Sequence, residues 1–268
     1  MKVGFIQFSP IFGEKETNIE KTIALISKGA EADLLVLPEL CNTGYLFQDK
    51  TELQKLAEDV NKGPSIQAWR DIAKETDTYI VAGFCEKAGD KFYNSAAIIA
   101  PDGFIDAYQK IHLFDAEKKF FEAGNGPLKV YETGETKIGI IVCFDWIFPE
   151  ITRILALNGA EIICHPANLV LPFAQKTMLA RSIENRVFTI TANRIGEDVR
   201  PDSSLSFTGQ SQVTSPKMEL LIHASEDKEE VLMVDIDPAL AKNKMVTQNN
   251  HIFEDRRVDL YQTLFKKN

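Results

Sequence analysis

The chain has 268 residues, 44% hydrophobic and 26% charged. That balance excludes disordered, collagen-like and coiled-coil proteins, and the length suffices to bury a core without metal or disulfide staples. Its 39 acidic residues outnumber 30 basic ones, a net charge of −9, which argues against nucleic acid or an anionic membrane surface as partner, because both need clustered Lys and Arg. The longest apolar stretch, residues 138–144, is far short of a membrane span. The N-terminal segment lacks the apolar run and cleavage site of a signal peptide. The expected location is therefore cytoplasmic, with Cys41, Cys85, Cys143 and Cys164 as reduced thiols.

In chain order, residues 3–8 read as a strand. Residues 18–28 carry Ile19, Thr22, Ile23 and Ile26 at helical spacing. Residues 34–37 are a fully apolar strand bounded by Pro38. Pro64 suits the first turn of a helix with Ile66, Trp69, Ile72 and Ala73 on one face. Residues 79–85 form a strand, and strands at 94–100 and 104–108 flank the tight turn Pro101-Asp102-Gly103. A strand at 137–142 precedes a helix from Pro149 to about residue 158. Then come a strand at 161–165, a helix at 175–186 and a strand at 188–192. After that the pattern is mainly β (209–214, 220–223, 230–236), and a polar, aromatic tail begins at Ile252. There is no internal repeat or linker. The order predicts one α/β domain over residues 1–268, with helices covering mixed sheets.

Three polar residues follow apolar runs. Cys143 lies in Ile140-Ile141-Val142-Cys143-Phe144-Asp145-Trp146, where a strand is expected to end and a helix to start. The carboxyl end of a strand favours active-site residues, and the positive end of a nearby helix favours thiolate. The same segment also suits a small buried core residue. Glu39, in Leu37-Pro38-Glu39-Leu40, is either a solvated loop residue or a partly buried carboxylate with a raised pKa suited to proton transfer. Lys110, in Tyr108-Gln109-Lys110-Ile111-His112, is either an exposed strand-end lysine or a cation for developing negative charge. His112, His165, His223 and His251 are scattered, and structural roles are expected for them. His165 follows Cys143 by 22 residues, but no Gly-x-Cys-x-Gly elbow surrounds the cysteine. Neither H-E-x-x-H nor paired Cys and His at ligand spacing is present, so no metal site is expected.

Taken together, Pro38-Glu39-Leu40, Tyr108-Gln109-Lys110-Ile111-His112-Leu113 and Val142-Cys143-Phe144-Asp145-x-x-Phe148-Pro149-Glu150 resemble the nitrilase (carbon–nitrogen hydrolase) superfamily in order and approximate spacing. Val3-Gly4-Phe5-Ile6-Gln7, Tyr93-Asn94-Ser95-Ala96, Gly159-Ala160-Glu161-Ile162 and Glu184-Asn185-Arg186 are similar to further family blocks. The resemblance implies an α-β-β-α sandwich with two mixed sheets, a Glu39-Lys110-Cys143 triad and no metal or organic cofactor. It also implies a homodimer or larger homo-oligomer, in which the tail from about residue 252 lies across a partner subunit. A second glutamate near the lysine is implied at Glu117, with Glu122 as the competing choice.

The implied reaction is hydrolysis of a small amide through a cysteine thioester. Cys-Phe-Asp-Trp departs from the Cys-Trp-Glu of typical nitrilases, which favours an amide or carbamoyl substrate over a nitrile. Tyr45, Phe144, Trp146 and Asn168 are the candidate pocket residues, and Arg194 is a candidate cation for the distal carboxylate of a dicarboxylic monoamide. An N-carbamoyl amidohydrolase, a nitrilase and an idle oligomeric binding module are the alternatives.

Overall fold

The computed structural model describes residues 1–134 and 136–266. Its strands are β1 (Lys2–Gln7), β2 (Leu34–Val36), β3 (Tyr79–Ala88), β4 (Lys91–Ile99), β5 (Ile105–Gln109), β6 (Val130–Thr133), β7 (Thr136–Ile140), β8 (Ile162–Ala167), β9 (Phe188–Asn193), β10 (Glu197–Arg200), β11 (Ser203–Ser206), β12 (Gln212–Thr214), β13 (Leu220–His223) and β14 (Glu230–Asp235), with a small late pair at Met245–Thr247 and Asn250–His251. The helices are α1 (Lys15–Lys28), α2 (Lys50–Leu56), α3 (Pro64–Thr76), α4 (Pro149–Leu157), α5 (Ala174–Asn185) and a short α6 (Ala239–Lys242).

Among the described residues, two six-stranded sheets have the orders β14-β1-β2-β3-β4-β5 and β13-β12-β9-β8-β7-β6. Each is mixed. In the first sheet β2 runs parallel to β1 and β3, and β14, β4 and β5 pair antiparallel. In the second, β8 runs parallel to β7 and β9, while β6, β12 and β13 pair antiparallel.

Side-chain alternation explains the layers. In the first sheet Val3, Phe5, Leu34, Val36, Val81, Ala96 and Ile98 pack toward the second sheet, against residues such as Ile138, Ile140, Ile162 and Ile190. Their neighbours Ile6, Leu35, Ile80, Ala82, Phe84, Ala97 and Ile99 pack on Leu25 and Ile26 of α1 and on Ile66, Trp69 and Ile72 of α3. These strands are buried on both faces, so they read as continuous apolar runs. Helices α4 and α5 cover the second sheet through Ile151, Leu155 and Met178. The result is the expected α-β-β-α sandwich. No helix among the described residues is long and apolar enough to cross a membrane.

The differences from the expected elements are local. Strand β7 stops at Ile140, not at Cys143, and a 3₁₀ turn occupies Cys143–Ile147. Helix α2 was not expected because among its seven residues only Leu53 is buried. The β10–β11 hairpin shows little apolar alternation, since Ser203, Ser204 and Ser206 are exposed. In the tail, Phe253 packs on the core, whereas Val258, Leu260, Leu264 and Phe265 are exposed.

Gly83 shows how closely the chain passes itself. Beyond β2 the backbone follows β3, with Gly83 N–H donating to Pro38 O (3.1 Å) and Cys41 N–H to Gly83 O (3.0 Å). A Cβ at Gly83 would sit 2.6 Å from both the Leu40 nitrogen and the Pro38 oxygen, and would also clash with Glu39 Cα. Gly83→Ala is expected to lower stability by about 1–3 kcal/mol, the cost of overpacking. Gly126→Ala, where a Cβ meets nothing within 4 Å, should leave the denaturant midpoint unchanged or slightly raised. Equal midpoints for Gly83→Ala and the parent chain would refute the close approach.

Candidate active site

The two sheets present different chemistry to a shared region. Glu39 follows β2 and Lys110 follows β5 in the first sheet, while Cys143 follows β7 and Asn168 follows β8 in the second. Lys110 is fully buried, and its Nζ donates to Glu39 Oε1 (2.7 Å) and Glu117 Oε1 (2.8 Å). Asn94 on β4 donates from Nδ2 to the same Glu39 oxygen (2.6 Å). Glu117 is held from three sides, because Tyr45 donates its hydroxyl to Oε1 (2.6 Å) and the Phe114 N–H meets Oε2 (3.2 Å). Glu39 Oε2 differs. It is buried and has no hydrogen-bond partner among the described residues.

Burial would depress the Lys110 ammonium, but the Glu117 and Glu39 carboxylates outweigh it and hold the pKa above the usual lysine value. The lysine stays charged. Glu117 moves the other way: burial and the Glu39 charge raise its carboxyl pKa against the pull of Lys110. Glu122, the competing second glutamate, is exposed.

Cys143 is 6% exposed and has φ +41°, in the left-handed region that costs a non-glycine residue about 1–3 kcal/mol. Three anchors hold the strained turn. Asp145, fully buried, accepts from Val142 N–H and the Tyr108 hydroxyl (2.8 Å each) on one oxygen and contacts His112 Nδ1 (2.7 Å) with the other. His165 Nε2 lies 3.0 Å from the Cys143 carbonyl oxygen. A carbonyl only accepts, so Nε2 carries the proton, and Nδ1 accepts from Thr191 Oγ1 at 3.1 Å. Arg181 of α5 donates from Nε to Trp146 O (3.1 Å) and from Nη2 to Ile147 O (3.3 Å).

The helix start after Cys143 favours a thiolate, but the surroundings of the sulfur oppose it. Burial and the Glu39 charge push the thiol pKa well above its ordinary value, and the opposing pull of Lys110 and of the Asn168 backbone N–H is weaker. These surroundings favour the protonated thiol, with Glu39 near enough for its charge to act on it. Cys41, Cys85 and Cys164 are also buried and unpaired, and burial raises their pKa values too.

The remaining expected pocket residues gather near the thiol. Phe114, Phe144, Trp146, Asn168, Leu169 and Leu171 line a hollow of about 10 Å³ beside Cys143, room for roughly one water. Phe114 also borders a larger opening of about 550 Å³, together with Tyr45, Glu117, Phe120 and the β11 residues Ser203 and Ser204. Trp146 sits edge-on to Phe173 at 5.8 Å. Arg194 is not a free cation for a distal carboxylate. It is fully buried, pairs with Asp198 (3.0 Å) and stacks over Phe207 at 4.0 Å. Asp198 in turn accepts from the N–H groups of Tyr45 (2.8 Å) and Leu46 (3.0 Å).

A cysteine on a strained turn and a buried glutamate–lysine–glutamate cluster thus lie together between two mixed sheets. The chain belongs to the carbon-nitrogen hydrolase family, whose sequence profile matches residues 2–244. It is a nitrilase-superfamily hydrolase. A Pyrococcus abyssi protein named nitrilase is 45% identical over 97% of this chain and 99% of its own length. An Arabidopsis thaliana N-carbamoylputrescine amidase is 32% identical over 87% of this chain and 84% of its own length. The crystal structure of a carbon-nitrogen hydrolase from Helicobacter pylori G27 superposes with TM-score 0.88 at 26% identity, covering 100% of this chain and 99% of the other.

Asn94, Asp145, Asp198 and the contact from His165 to the Cys143 carbonyl are not indicated by the sequence. Asn94 and Asp145 stand inside motifs, but nothing local indicates that they bond to Glu39 and to the Cys143 turn. His165 yields a test. Burial lowers its pKa from 6.5 to about 4, so the unfolded chain binds the extra proton first as pH falls, and stability drops from about pH 6.5 toward pH 4. His165→Gln can keep both hydrogen bonds without titrating. Between pH 7 and pH 4.5 the parent chain should lose about 2 kcal/mol more than this variant, read from denaturant midpoints. Parallel losses would contradict the neutral, buried imidazole.

Proposed function

We propose that the protein is an amidase that hydrolyses small amides to the carboxylic acid and ammonia, with Cys143 as nucleophile. The observation that carries this reading is the buried Glu39 Oε2, without a partner among the described residues and close enough for its charge to raise the Cys143 thiol pKa, while Lys110 and Asn94 pin the other oxygen. Glu39 takes the thiol proton as sulfur attacks the carbonyl carbon. The Lys110 ammonium and the Phe144 N–H stabilise the tetrahedral oxyanion. Glu39 returns the proton to the departing nitrogen, ammonia leaves and a thioester remains. Water, deprotonated by Glu39, cleaves the thioester to the acid and regenerates the thiol.

Glu117 orients the substrate nitrogen and Lys110. Its oxygens accept from Lys110, Tyr45 and Phe114, and an amide N–H can add to that set. A nitrile nitrogen has no hydrogen to donate, which is why the cluster favours amides. Nitrile hydrolysis is the second reading, supported by the name of the Pyrococcus relative.

Ammonia release from matched amides and nitriles separates the two. The expected result is a higher kcat/KM for the amides. Cys143→Ala should abolish turnover with an unchanged circular dichroism spectrum. Glu117→Gln should cut amide turnover by on the order of 10² or more, with the exposed Glu122→Gln near the parent rate. Faster nitrile hydrolysis, or an active Cys143→Ala enzyme, would overturn the reading.

A further inference from the structure

This inference rests on the amidase reading and concerns what the substrate's acyl group must carry. Asn168 is 2% exposed and lines the hollow beside Cys143. Its backbone N–H acts on the Cys143 thiol, which places the residue at the reacting sulfur. Its side-chain oxygen and nitrogen are both buried, and neither has a hydrogen-bond partner among the described residues.

A nearby asparagine shows the contrast. Asn193 accepts from Leu169 N–H (2.8 Å) and donates to Thr208 Oγ1 (3.0 Å) and Gly209 O (2.6 Å), so its carboxamide is fully used within the fold. Asn168 uses neither end. Each unmet buried polar group is costly, and a leucine would fill the same space without that penalty. The carboxamide of Asn168 is therefore matched to something the fold itself does not supply.

Position decides what that is. The groups that handle the reacting amide, Glu39, Lys110 and Glu117, all come from the first sheet and its following turn. Asn168 comes from the second sheet and lines the hollow beside the Cys143 sulfur. The hollow there is small and otherwise lined by aromatic and aliphatic side chains such as Phe114, Phe144 and Leu171. A hydrogen-bonding atom within reach of Asn168 must then lie next to the carbonyl carbon, not far along a chain.

We propose that Asn168 selects acyl groups carrying a hydrogen-bonding substituent on the atom adjacent to the carbonyl, as in α-hydroxy amides or carbamoyl compounds, over plain aliphatic amides of the same size. Glycolamide and propionamide match the first pair, since a hydroxyl replaces a methyl. Ethylurea and butyramide match the second, since N–H replaces CH₂.

Two measurements test this. For turnover, Asn168→Leu should lower kcat/KM for glycolamide by on the order of 10-fold to 100-fold, the effect of leaving a buried polar group unmet. Propionamide should lose less, so that the glycolamide-to-propionamide ratio of kcat/KM falls by about 10-fold or more. The same ratio for ethylurea against butyramide shows whether the α-hydroxy or the carbamoyl class is the one read. For binding, calorimetry on Cys143→Ala needs no chemistry. Glycolamide or ethylurea should bind that variant more tightly than its apolar match, and Asn168→Leu added to it should erase the difference. Equal binding of both members of both pairs to Cys143→Ala overturns the inference, whatever turnover shows. A retained binding preference with no turnover of any amide would overturn the amidase reading alone.

Discussion

The site depends on one buried charge arrangement, the Lys110 ammonium held between the Glu39 and Glu117 carboxylates at 2.7 and 2.8 Å. A lysine and two carboxyl groups in a dry interior are tolerable only as a set, because removing one partner of a buried pair typically costs roughly 3–5 kcal/mol. The fold builds the set from distant parts of the chain. Strand β2 delivers Glu39, the end of β5 delivers Lys110, and a 3₁₀ turn at Asp115–Lys119 brings Glu117 back against both. Gly83 lets the Glu39 backbone approach β3 closely enough for this, and Asn94 fixes the carboxylate rotamer by occupying one of its oxygens. The other oxygen has no partner among the described residues.

The second sheet supplies Cys143 in a backbone conformation that costs a non-glycine residue. The turn of the left-handed Cys143 is held by Asp145 at the Val142 N–H, by His165 at the Cys143 carbonyl and by Arg181 at the Trp146 carbonyl. Asp145 also reaches across to Tyr108 and His112 of the first sheet's segment, so the turn and the charge cluster are braced against each other. On the opposite flank the Arg194–Asp198 pair grips the backbone at Tyr45, whose hydroxyl completes the partners of Glu117. These contacts act through neighbours, and under the proposed mechanism they are positioning residues.

Much of the framework was legible in the sequence. A strand buried on both faces, such as β2, announces itself as an unbroken apolar run. Pro64 and Pro149 mark the first residues of α3 and α4, and Pro101-Asp102-Gly103 marks the β4–β5 turn. What escaped was polar or non-local. Helix α2 and the β10–β11 hairpin lack a strong apolar period, yet they carry Glu52 and Arg200, which form an ion pair between them, and Asp198 beside it. Glu39, Lys110, Cys143 and Glu117 stood out through motif resemblance, but the state of the thiol did not. The sequence shows a helix starting after Cys143. It does not show that burial and the Glu39 charge outweigh any benefit of that helix.

The claim at the centre of this account is that the resting nucleophile is a thiol awaiting a base, not a preformed thiolate. Thiolate absorbance near 240 nm, taken as the difference between the parent chain and Cys143→Ala across pH 6 to 9, measures it directly. The account requires no Cys143-specific thiolate signal in that range, because burial and Glu39 hold the pKa above the ordinary cysteine value. A thiolate step below pH 7 would contradict it, and would assign the activation of Cys143 to an ion pair with Lys110 in place of proton transfer to Glu39.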